Sequence, residues 1–301
     1  MTDILTAPLI SGPHFAPGAA VVAALQKRFG LSYHVPYCAE ADRLVGLEGK
    51  RVLEVGGSLP AGFVRDHLGV AQWTAVEELG YWRTVDRVER LTDSPLQKKA
   101  DARLADATPA LLGADYVLLD GAIEDAPDAL ADQFDVAFSI ACFEHVSRMP
   151  KALGRIARLL KPGGKLFTMF SPLWSAHDGH HLPEITNQQT GETYKFDRSP
   201  IPPWGHLLAS PAGLYNFLRP QVGDATAEEI VYYVHHAPHI SRLFIEDYVG
   251  YFYQCPLTVV ECRPTFPRPI APEMQAELER LHPGHTQFRY NGLLAVLQKP
   301  F

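Results

Sequence analysis

The stretch that decides the fold is Arg51-Val52-Leu53-Glu54-Val55-Gly56-Gly57-Ser58. Its first part is short, β-branched and nearly uncharged, as in a central parallel strand that is covered on both faces. The glycine pair lets the backbone turn tightly, and it lets a ligand approach the main-chain amides without a Cβ in the way. The stretch therefore predicts a strand that ends in a loop for a nucleotide-bearing ligand.

Further strand patterns follow in the order of one open α/β sheet. Strands are predicted at 72–77, 115–120, 134–141 and 165–170, and the segment 159–164 is predicted to end the helix before the last of them. Glu77 closes the second strand about 20 residues past the glycines, where an acid can accept hydrogen bonds from both ribose hydroxyls. Glu78 is the alternative, because the last residue of a strand cannot be fixed from sequence.

In this order, the motifs resemble those of the class I S-adenosylmethionine-dependent methyltransferases of the small-molecule type. The segments that carry the resemblance are 52–58, 134–139, Phe143-Glu144-His145-Val146 and 159–164. The resemblance implies S-adenosyl-L-methionine as cofactor and S-adenosylhomocysteine as product. It also implies an α/β, Rossmann-like fold whose seven-stranded, mostly parallel sheet has helices on both faces. The chain's own residue pattern adds an N-terminal cap helix and a long insertion after strand 5.

A nicotinamide-binding Rossmann domain is the competing interpretation of the glycine loop. Its fingerprint needs glycines two and five positions after Gly56, where Ser58 and Ala61 stand, so that interpretation fails. The methyltransferase loop often has a further glycine where this chain has Leu59-Pro60. Because proline stiffens the loop and removes an amide, not all of the usual contacts to the methionine end are expected.

The resemblance also assigns cofactor contacts. It gives Glu54 the acid near the amino end of the cofactor, and it gives Glu77 the ribose. The turn after the third strand meets the adenine, with Asp120 or Glu124 as the partner of its exocyclic amine. The end of the fourth strand offers a backbone carbonyl to the methionine amino group. The predicted cofactor-binding residues are Glu54, Gly56, Gly57, Ser58, Glu77, Asp120, Ala122, Ile123, Ser139 and Ile140.

Composition limits the partners. The chain has 301 residues, 47% hydrophobic and 20% charged, and its net charge is −7. With no basic run, neither nucleic acid nor an anionic membrane is expected as a partner. The four cysteines lack paired metal spacing and suit a reducing compartment. No basic n-region opens the chain, so a cytoplasmic protein is expected, and a homodimer is left open.

The chain divides into four predicted regions. Residues 1–47 form an N-terminal cap segment with a helix from Gly18 to Phe29, and residues 48–171 form the cofactor-binding core. Residues 172–240 show little periodicity but many aromatic side chains, too much apolar surface to leave in water. They are predicted to be a folded lid that forms the acceptor pocket. Residues 241–301 return to regular helix and strand patterns and complete the sheet.

Candidate acceptor-side residues follow the fifth strand, at the sheet edge where open α/β folds bind ligands. A base is needed when the acceptor is a hydroxyl, and histidine suits neutral pH. His180 or His181 is the predicted base, with Asp178 as its orienting carboxylate. The alternative is a loop whose histidines only hydrogen-bond to backbone. The predicted acceptor-binding residues are His177, Trp174, Trp204 and His206.

Other functions remain open at this stage. The same histidines, with Glu184 and the cluster His235-His236 and His239, could bind a divalent metal, although no established ligand spacing is present. Methylation of nitrogen or carbon is the enzyme alternative, in which His180 would orient the acceptor. A protein that binds the cofactor without turnover is the alternative from another class. His145 is interpreted as a structural or cofactor-edge residue, because its motif occurs with many substrates.

Overall fold

The predicted strands lie in one sheet in a computed structural model that describes residues 15–80 and 100–301. Its strands in chain order are β1 Arg51–Val55, β2 Gln72–Glu77, β3 Ala102–Arg103, β4 Tyr116–Asp120, β5 Phe134–Ile140, β6 Leu160–Phe170, β9 Thr258–Pro267 and β10 Tyr290–Gln298. Across the sheet the order is β3-β4-β2-β1-β5-β6-β10-β9. The Rossmann-like α/β fold is confirmed.

The number of strands differs from the prediction. The described sheet has eight strands and not seven, because the two-residue β3 pairs with the outer edge of β4, with Ala102 opposite Leu119. So short a strand leaves no periodicity in the sequence. The final strand, β10, runs antiparallel to both of its neighbours, β6 and β9, as predicted. Strand order reverses between β1 and β5, and ligands bind at such a point in open α/β sheets.

Helices cover the sheet. They are α1 Ala19–Phe29, α2 His34–Val45, α3 Ala61–His67, α4 Met149–Leu159, α5 Gly205–Leu208, α6 Pro211–Val222, α7 Asp224–His235, α8 Ile245–Gln254 and α9 Pro272–Leu281. The helix predicted from Gly18 is α1, whereas the predicted loop before it lies mostly outside the described residues. Two apolar clusters, one containing Phe63 and Trp73 and the other Phe143 and Phe170, fill the layers beside the sheet.

The Lys161-Pro162-Gly163-Gly164 segment belongs to a strand and not to a helix end. Helix α4 stops at Leu159, and β6 starts at the next residue. Between β5 and β6 the register jumps, so that Leu160 faces Phe134 but Lys165 faces Val136. The four residues therefore form a bulge in the strand, a role that proline and glycine fill in sheets.

The insertion contains more regular structure than its sequence indicates. Besides α5, α6 and α7 it has a small hairpin of β7 Ile185–Thr186 and β8 Thr193–Tyr194. Prolines make these helices hard to predict from the sequence, because Pro211 lies in the first turn of α6 and Pro220 lies in its last turn. In the first turn the missing amide of proline costs little, and in the last turn the helix is already ending. A third apolar cluster, including Trp174, Leu218 and Phe288, gives this region its own core.

No helix in the described part of the chain is long and apolar enough to cross a membrane.

Candidate functional site

Three adjoining cavities lie at the carboxyl ends of the central strands. The strand-end cavity, about 240 Å³, is lined by Gly56, Glu77, Gly121, Ala122, Ile123, Glu124, Cys142 and His145 among others. The loop cavity, about 870 Å³, is lined by Phe29, Tyr33, His34, Gly56, Ser58, Arg65, Glu77 and Ile140 among others. The histidine cavity, about 510 Å³, is lined by Tyr33, Tyr37, Glu144, His145, Asp178, His181, Phe196, Arg268 and Asn291 among others. Ala141 lines all three, so the cavities meet at the end of β5.

The glycine pair leaves no room for side chains. Gly56 has a φ of 110°, and a Cβ there would lie 2.8 Å from the Cβ of Cys142. Gly57 has a φ of 44°, and a Cβ there would lie 2.7 Å from the Cβ of Glu77. The loop therefore lies directly against the ends of β2 and β5. This closeness brings its backbone to the edge of the strand-end and loop cavities, as a glycine loop for a nucleotide requires.

Glu54 holds the loop from beneath. Its Oε1 accepts hydrogen bonds from the Ser58 amide at 2.8 Å, the Ser58 hydroxyl at 3.0 Å and the Leu59 amide at 3.1 Å. Its Oε2 accepts from Trp73 Nε1 at 2.8 Å, and the residue is 1% exposed. A positioning role through the loop accounts for these four bonds, while direct contact of Glu54 or Ser58 with a cofactor stays a prediction.

We expect Glu54→Gln to weaken the loop, since a carboxylate accepts at both oxygens whereas an amide must turn an NH₂ group toward one set of donors. Leaving buried donors without a partner costs about 1–3 kcal/mol of folding free energy. Denaturant unfolding should report that loss, and calorimetry should report weaker S-adenosylhomocysteine binding. Trp73→Phe, which removes the donor to Oε2 together with part of a buried ring, is the control and should affect binding less. Equal binding by the Gln variant and the unmodified chain would contradict this role.

The predicted ribose and adenine residues surround the strand-end cavity. Glu77 is the last residue of β2 and lines two cavities, while Glu78 lines only this one. Asp120 makes a hydrogen bond within the protein instead: its Oδ1 accepts from the Leu79 amide at 3.0 Å. Glu124, and not Asp120, lines the cavity, with its Oε1 3.4 Å from Arg148 Nε, and adenine contact stays a prediction.

At the end of β5 the lining residues lie slightly further along the chain than predicted. Ser139 is fully buried, and its hydroxyl donates to the Val55 carbonyl at 3.0 Å. Ile140 lines the loop cavity. Ala141 has a φ of 45°, a conformation that is uncommon for a residue with a Cβ. The turn at Ala141 thus opens the space where the cavities meet, and no sequence signal marked it.

His181 and not His180 lines the histidine cavity. Its Nε2 lies 2.7 Å from the Pro172 carbonyl oxygen, so Nε2 carries the hydrogen and donates it. Nδ1 makes no hydrogen bond with residues 15–80 or 100–301, which leaves its lone pair for a ligand. Burial lowers the pKa of His181 well below its usual value, and neighbouring His145 adds to the effect. His181 is therefore neutral at pH 7.

His180 faces the core of the insertion. It is 2% exposed, its Nδ1 accepts from the Leu182 amide at 3.1 Å, and its ring packs against that of His206 at 5.7 Å. His180 lies in a turn and His181 has a φ of 45°, in the left-handed region, so the turn of the backbone separates the two side chains. Of the two histidines predicted as the base, His181 is therefore the one that lines the histidine cavity.

Asp178 orients a different histidine from the one predicted. Nδ1 of His177 donates to Asn291 Oδ1 at 3.1 Å and lies 3.2 Å from Asp178 Oδ1. Asn291 Nδ2 donates in turn to Asp178 Oδ1 at 3.1 Å. Burial raises the pKa of Asp178, and His177 opposes that rise. Asp178 and Asn291 line the histidine cavity, so this triad forms part of its wall.

The other predicted acceptor-binding side chains support the wall from behind. Trp174, Trp204 and His206 are buried in the insertion and line none of the three cavities. His206 Nε2 donates to the Trp174 carbonyl at 2.8 Å, and Trp204 Nε1 donates to the Phe288 carbonyl at 3.2 Å. Aromatic residues in a lid sequence cannot be divided between cavity and core before their backbone is known.

Gly179 is needed for close approach. A Cβ there would lie 2.1 Å from the Leu173 carbonyl oxygen and 2.6 Å from that of Trp174. Both obstacles are backbone atoms in the turn that sets His180 and His181 on opposite sides. Glycine is required here for space and not for a positive φ.

We expect Gly179→Ala to lower the free energy of unfolding by about 3 kcal/mol or more, because the collision is with backbone that cannot move aside. Gly154→Ala is the control: nothing lies within 4 Å of a Cβ in the middle of α4. That change should instead stabilise the chain by about 0.5–1 kcal/mol. Denaturant unfolding of both variants checks the pair, and similar stabilities would contradict the geometry.

Among the described residues, no three His, Cys, Asp or Glu side chains group closely enough to hold a metal ion. His235, His236 and His239 do not converge with Glu184 or Asp178 on one point of this kind, and the metal-assisted alternative gains no support.

Comparison with known proteins agrees with this geometry. Residues 79–168 match the family model described as a methyltransferase domain, a range that spans β4, β5 and most of β6. No curated protein is similar enough to count as a match.

Several solved structures resemble the chain over most of its length. An S-adenosylmethionine-dependent methyltransferase from Mesorhizobium loti is 13% identical, with 89% of this chain and 98% of that chain covered and a TM-score of 0.43. The [4+2]-cyclase SpnF is 15% identical, with coverages of 88% and 80% and a TM-score of 0.42. Phosphoethanolamine N-methyltransferase 2 of Haemonchus contortus, in complex with S-adenosyl-L-methionine, is 15% identical, with coverages of 98% and 55% and a TM-score of 0.40.

Similarities this distant carry no argument about what this chain methylates. The domain match includes the turn that is predicted to meet the adenine, and it includes the end of β5. The sheet order, with its single antiparallel strand β10, agrees with it. The chain therefore contains a segment that matches a methyltransferase domain, and this segment lies in a Rossmann-like sheet.

Proposed function

We propose that the chain transfers a methyl group from S-adenosylmethionine to the hydroxyl oxygen of a small-molecule acceptor held in the histidine cavity. One observation carries the proposal: the cavities beside the glycine loop and Glu77 meet the histidine cavity at Ala141. A donor on one side and an acceptor on the other would face each other there. The volume of about 510 Å³ lies within the range of small-molecule pockets.

The cofactor side would be held by the glycine loop, by Glu77 and by the turn at Ala122 and Ile123. The bound cofactor supplies a methyl group that its positive sulfur has already activated. The main task of the protein is therefore to hold the acceptor oxygen in line with that methyl group, and such alignment can be worth roughly 7–11 kcal/mol. α1 and the segment at Tyr33 border the loop cavity and would cover the reacting groups.

His181 would remove the proton of the acceptor hydroxyl. Its hydrogen bond to the Pro172 carbonyl fixes the tautomer, so that Nδ1 can take the proton as the new oxygen–carbon bond forms. Burial keeps the ring neutral but also makes it a weak base. An acidic hydroxyl, such as that of a phenol, suits it better than an aliphatic alcohol. His145 lies beside it with ring centroids 5.2 Å apart, and it lines both the strand-end and histidine cavities.

Two measurements test this function. The first is calorimetric titration of S-adenosylmethionine and S-adenosylhomocysteine into chelator-treated protein, with and without added divalent metal. The second incubates the protein with methyl-labelled cofactor and matched pools of phenols, aliphatic alcohols and amines. Metal-independent binding followed by labelling of the phenol pool is expected. Absence of cofactor binding would refute the methyltransferase activity, and labelling confined to the amine pool would refute oxygen as the acceptor atom.

A further inference from the structure

A buried carboxyl group in the wall of the histidine cavity has an oxygen without a protein partner. Glu144 lies in the 3₁₀ turn Phe143–His145, is 2% exposed and lines the cavity. Its Oε2 is buried and makes no hydrogen bond within the described part of the chain. Such an atom costs about 1–3 kcal/mol when it stays unpaired. Because Glu144 lies in the wall of the histidine cavity, a ligand in that cavity is the candidate partner for Oε2.

The carboxyl group is a hydrogen-bond donor at neutral pH. Burial raises the pKa of Glu144 to about 8, and a hydrogen bond from its own backbone amide opposes that rise. Since Oε2 has no partner, the amide is bound by Oε1, and the proton belongs on Oε2. A neutral carboxyl group in this state offers an O–H to whatever enters the cavity.

The surrounding groups do not supply the missing partner. Burial raises the pKa of Tyr33, and Glu144 adds to the effect, so Tyr33 keeps its proton. Burial lowers the pKa of His145 to about 4, so this ring is neutral. The titratable and charged groups near Glu144 come from α2 and the segment before it, the turn itself, the segment after β6, α8 and the chain after β9. They are Tyr33, Tyr37, Cys142, His145, Asp178, His181, Tyr248 and Arg268.

We propose that Glu144 binds the acceptor by donating a hydrogen bond from Oε2 to an unprotonated oxygen, which makes the acceptor class a phenol that also carries a carbonyl or carboxylate oxygen. This inference rests on the proposed function, because it places the hydroxyl at His181 and the second oxygen at Glu144. No proton is transferred by Glu144. A cationic amine fits less well, because it brings no lone pair for the donor and meets the guanidinium of Arg268 in the same cavity.

Two substitutions separate the donor from the space it fills. Glu144→Gln places an NH₂ group where the carboxyl O–H stood, so it keeps a donor. Glu144→Leu fills similar volume without one. Four probes are titrated into protein saturated with S-adenosylhomocysteine: phenol, meta-hydroxyacetophenone, meta-hydroxybenzoate and meta-hydroxybenzylamine. The ketone and the carboxylate distinguish the two possible oxygen sources.

We expect the unmodified protein to bind the ketone or the carboxylate about three- to tenfold more tightly than phenol, as one hydrogen bond would give. The preference should survive in the Gln variant and vanish in the Leu variant. It should fall between pH 7 and pH 9 in the unmodified protein, because Glu144 then loses its proton, but not in the Gln variant. A preference that persists in the Leu variant, or a stronger preference for the amine, would overturn the proposal.

If binding of the probes is too weak for calorimetry, infrared spectroscopy can detect the hydrogen bond of Glu144 directly. The carboxyl stretch of Glu144 is identified by its absence from the Gln variant, and a carbonyl-bearing probe at saturating concentration should shift it to lower frequency while phenol should not. A band that neither the ketone nor the carboxylate moves would overturn the proposal. Failure of the unmodified protein to bind S-adenosylhomocysteine would instead refute the proposed function on which this inference rests.

Discussion

Replacing His181 with alanine should lower turnover by roughly 10² or more while leaving the affinity for S-adenosylmethionine nearly unchanged. His181 lines the histidine cavity, and its Nδ1 has no hydrogen-bond partner among the described residues. Its Nε2 donates to the Pro172 carbonyl at 2.7 Å. Removing it takes away the proton acceptor but no predicted cofactor contact. Rates with the acceptor found in the labelling screen, and calorimetry for the cofactor, measure the two quantities.

His282→Ala is the matched control for the cost of losing a histidine. His282 Nε2 also donates to a backbone carbonyl, that of Leu207 at 3.0 Å, and the residue lines none of the three cavities. Both variants lose one such bond, worth about 1 kcal/mol of stability. Only His181→Ala should lose rate, and equal rates in the two variants would remove His181 from the mechanism.

The pH dependence gives the same assignment an independent check. Because burial holds the pKa of His181 well below its usual value, the ring stays neutral down to acidic pH. The rate should therefore not fall as the pH drops from 7 to 6, as it would with an unperturbed histidine of pKa about 6.5. A loss of rate centred near that value would show that the base is a more exposed imidazole.

A strand, helix or loop of this fold could be predicted from the sequence when a short, continuous pattern of residues specifies it. β2 runs from Gln72 to Glu77 as predicted, because it is specified by a short pattern with a clear start and end. The glycine loop was equally local. The insertion was not: its helices carry prolines at their ends, and the apolar spacing between them was interrupted enough to be interpreted as irregular.

The acceptor-side residues needed tertiary information. His180 and His181 are neighbours in sequence, and only the path of the backbone decides that one enters the core and the other the cavity. Glu144 belongs to a family motif that gives it no role, since its burial and its unpaired Oε2 exist only after β5, α2 and α8 have packed together. Tyr33 and Tyr37 line the histidine cavity only once α2, which begins at His34, has packed beside it.

The second large effect is expected at the glycine loop, where Gly57→Ala should weaken S-adenosylhomocysteine binding by about ten- to a hundredfold. A Cβ at Gly57 would lie 2.7 Å from the Cβ of Glu77 and 3.2 Å from Leu118 Cδ1. Accommodating it must move the loop away from the end of β2, and overpacking of this kind costs about 1–3 kcal/mol. If the ligand contacts both Glu77 and the loop, as predicted, this free-energy cost weakens binding. Calorimetry measures the affinity, and denaturant unfolding measures the stability.

Gly49→Ala separates this collision from backbone strain. Gly49 has a φ of 66° but nothing within 4 Å of a Cβ, whereas Gly57 has a φ of 44° and two close neighbours. Both variants place alanine in the left-handed region, at a cost of roughly 1–2 kcal/mol of stability. If both lose stability and only Gly57→Ala loses affinity, the distance between the loop and β2 is what the cofactor requires. An equal loss of affinity in both would mean that strain transmitted through the fold is enough, and Gly57 would then have no special part in binding.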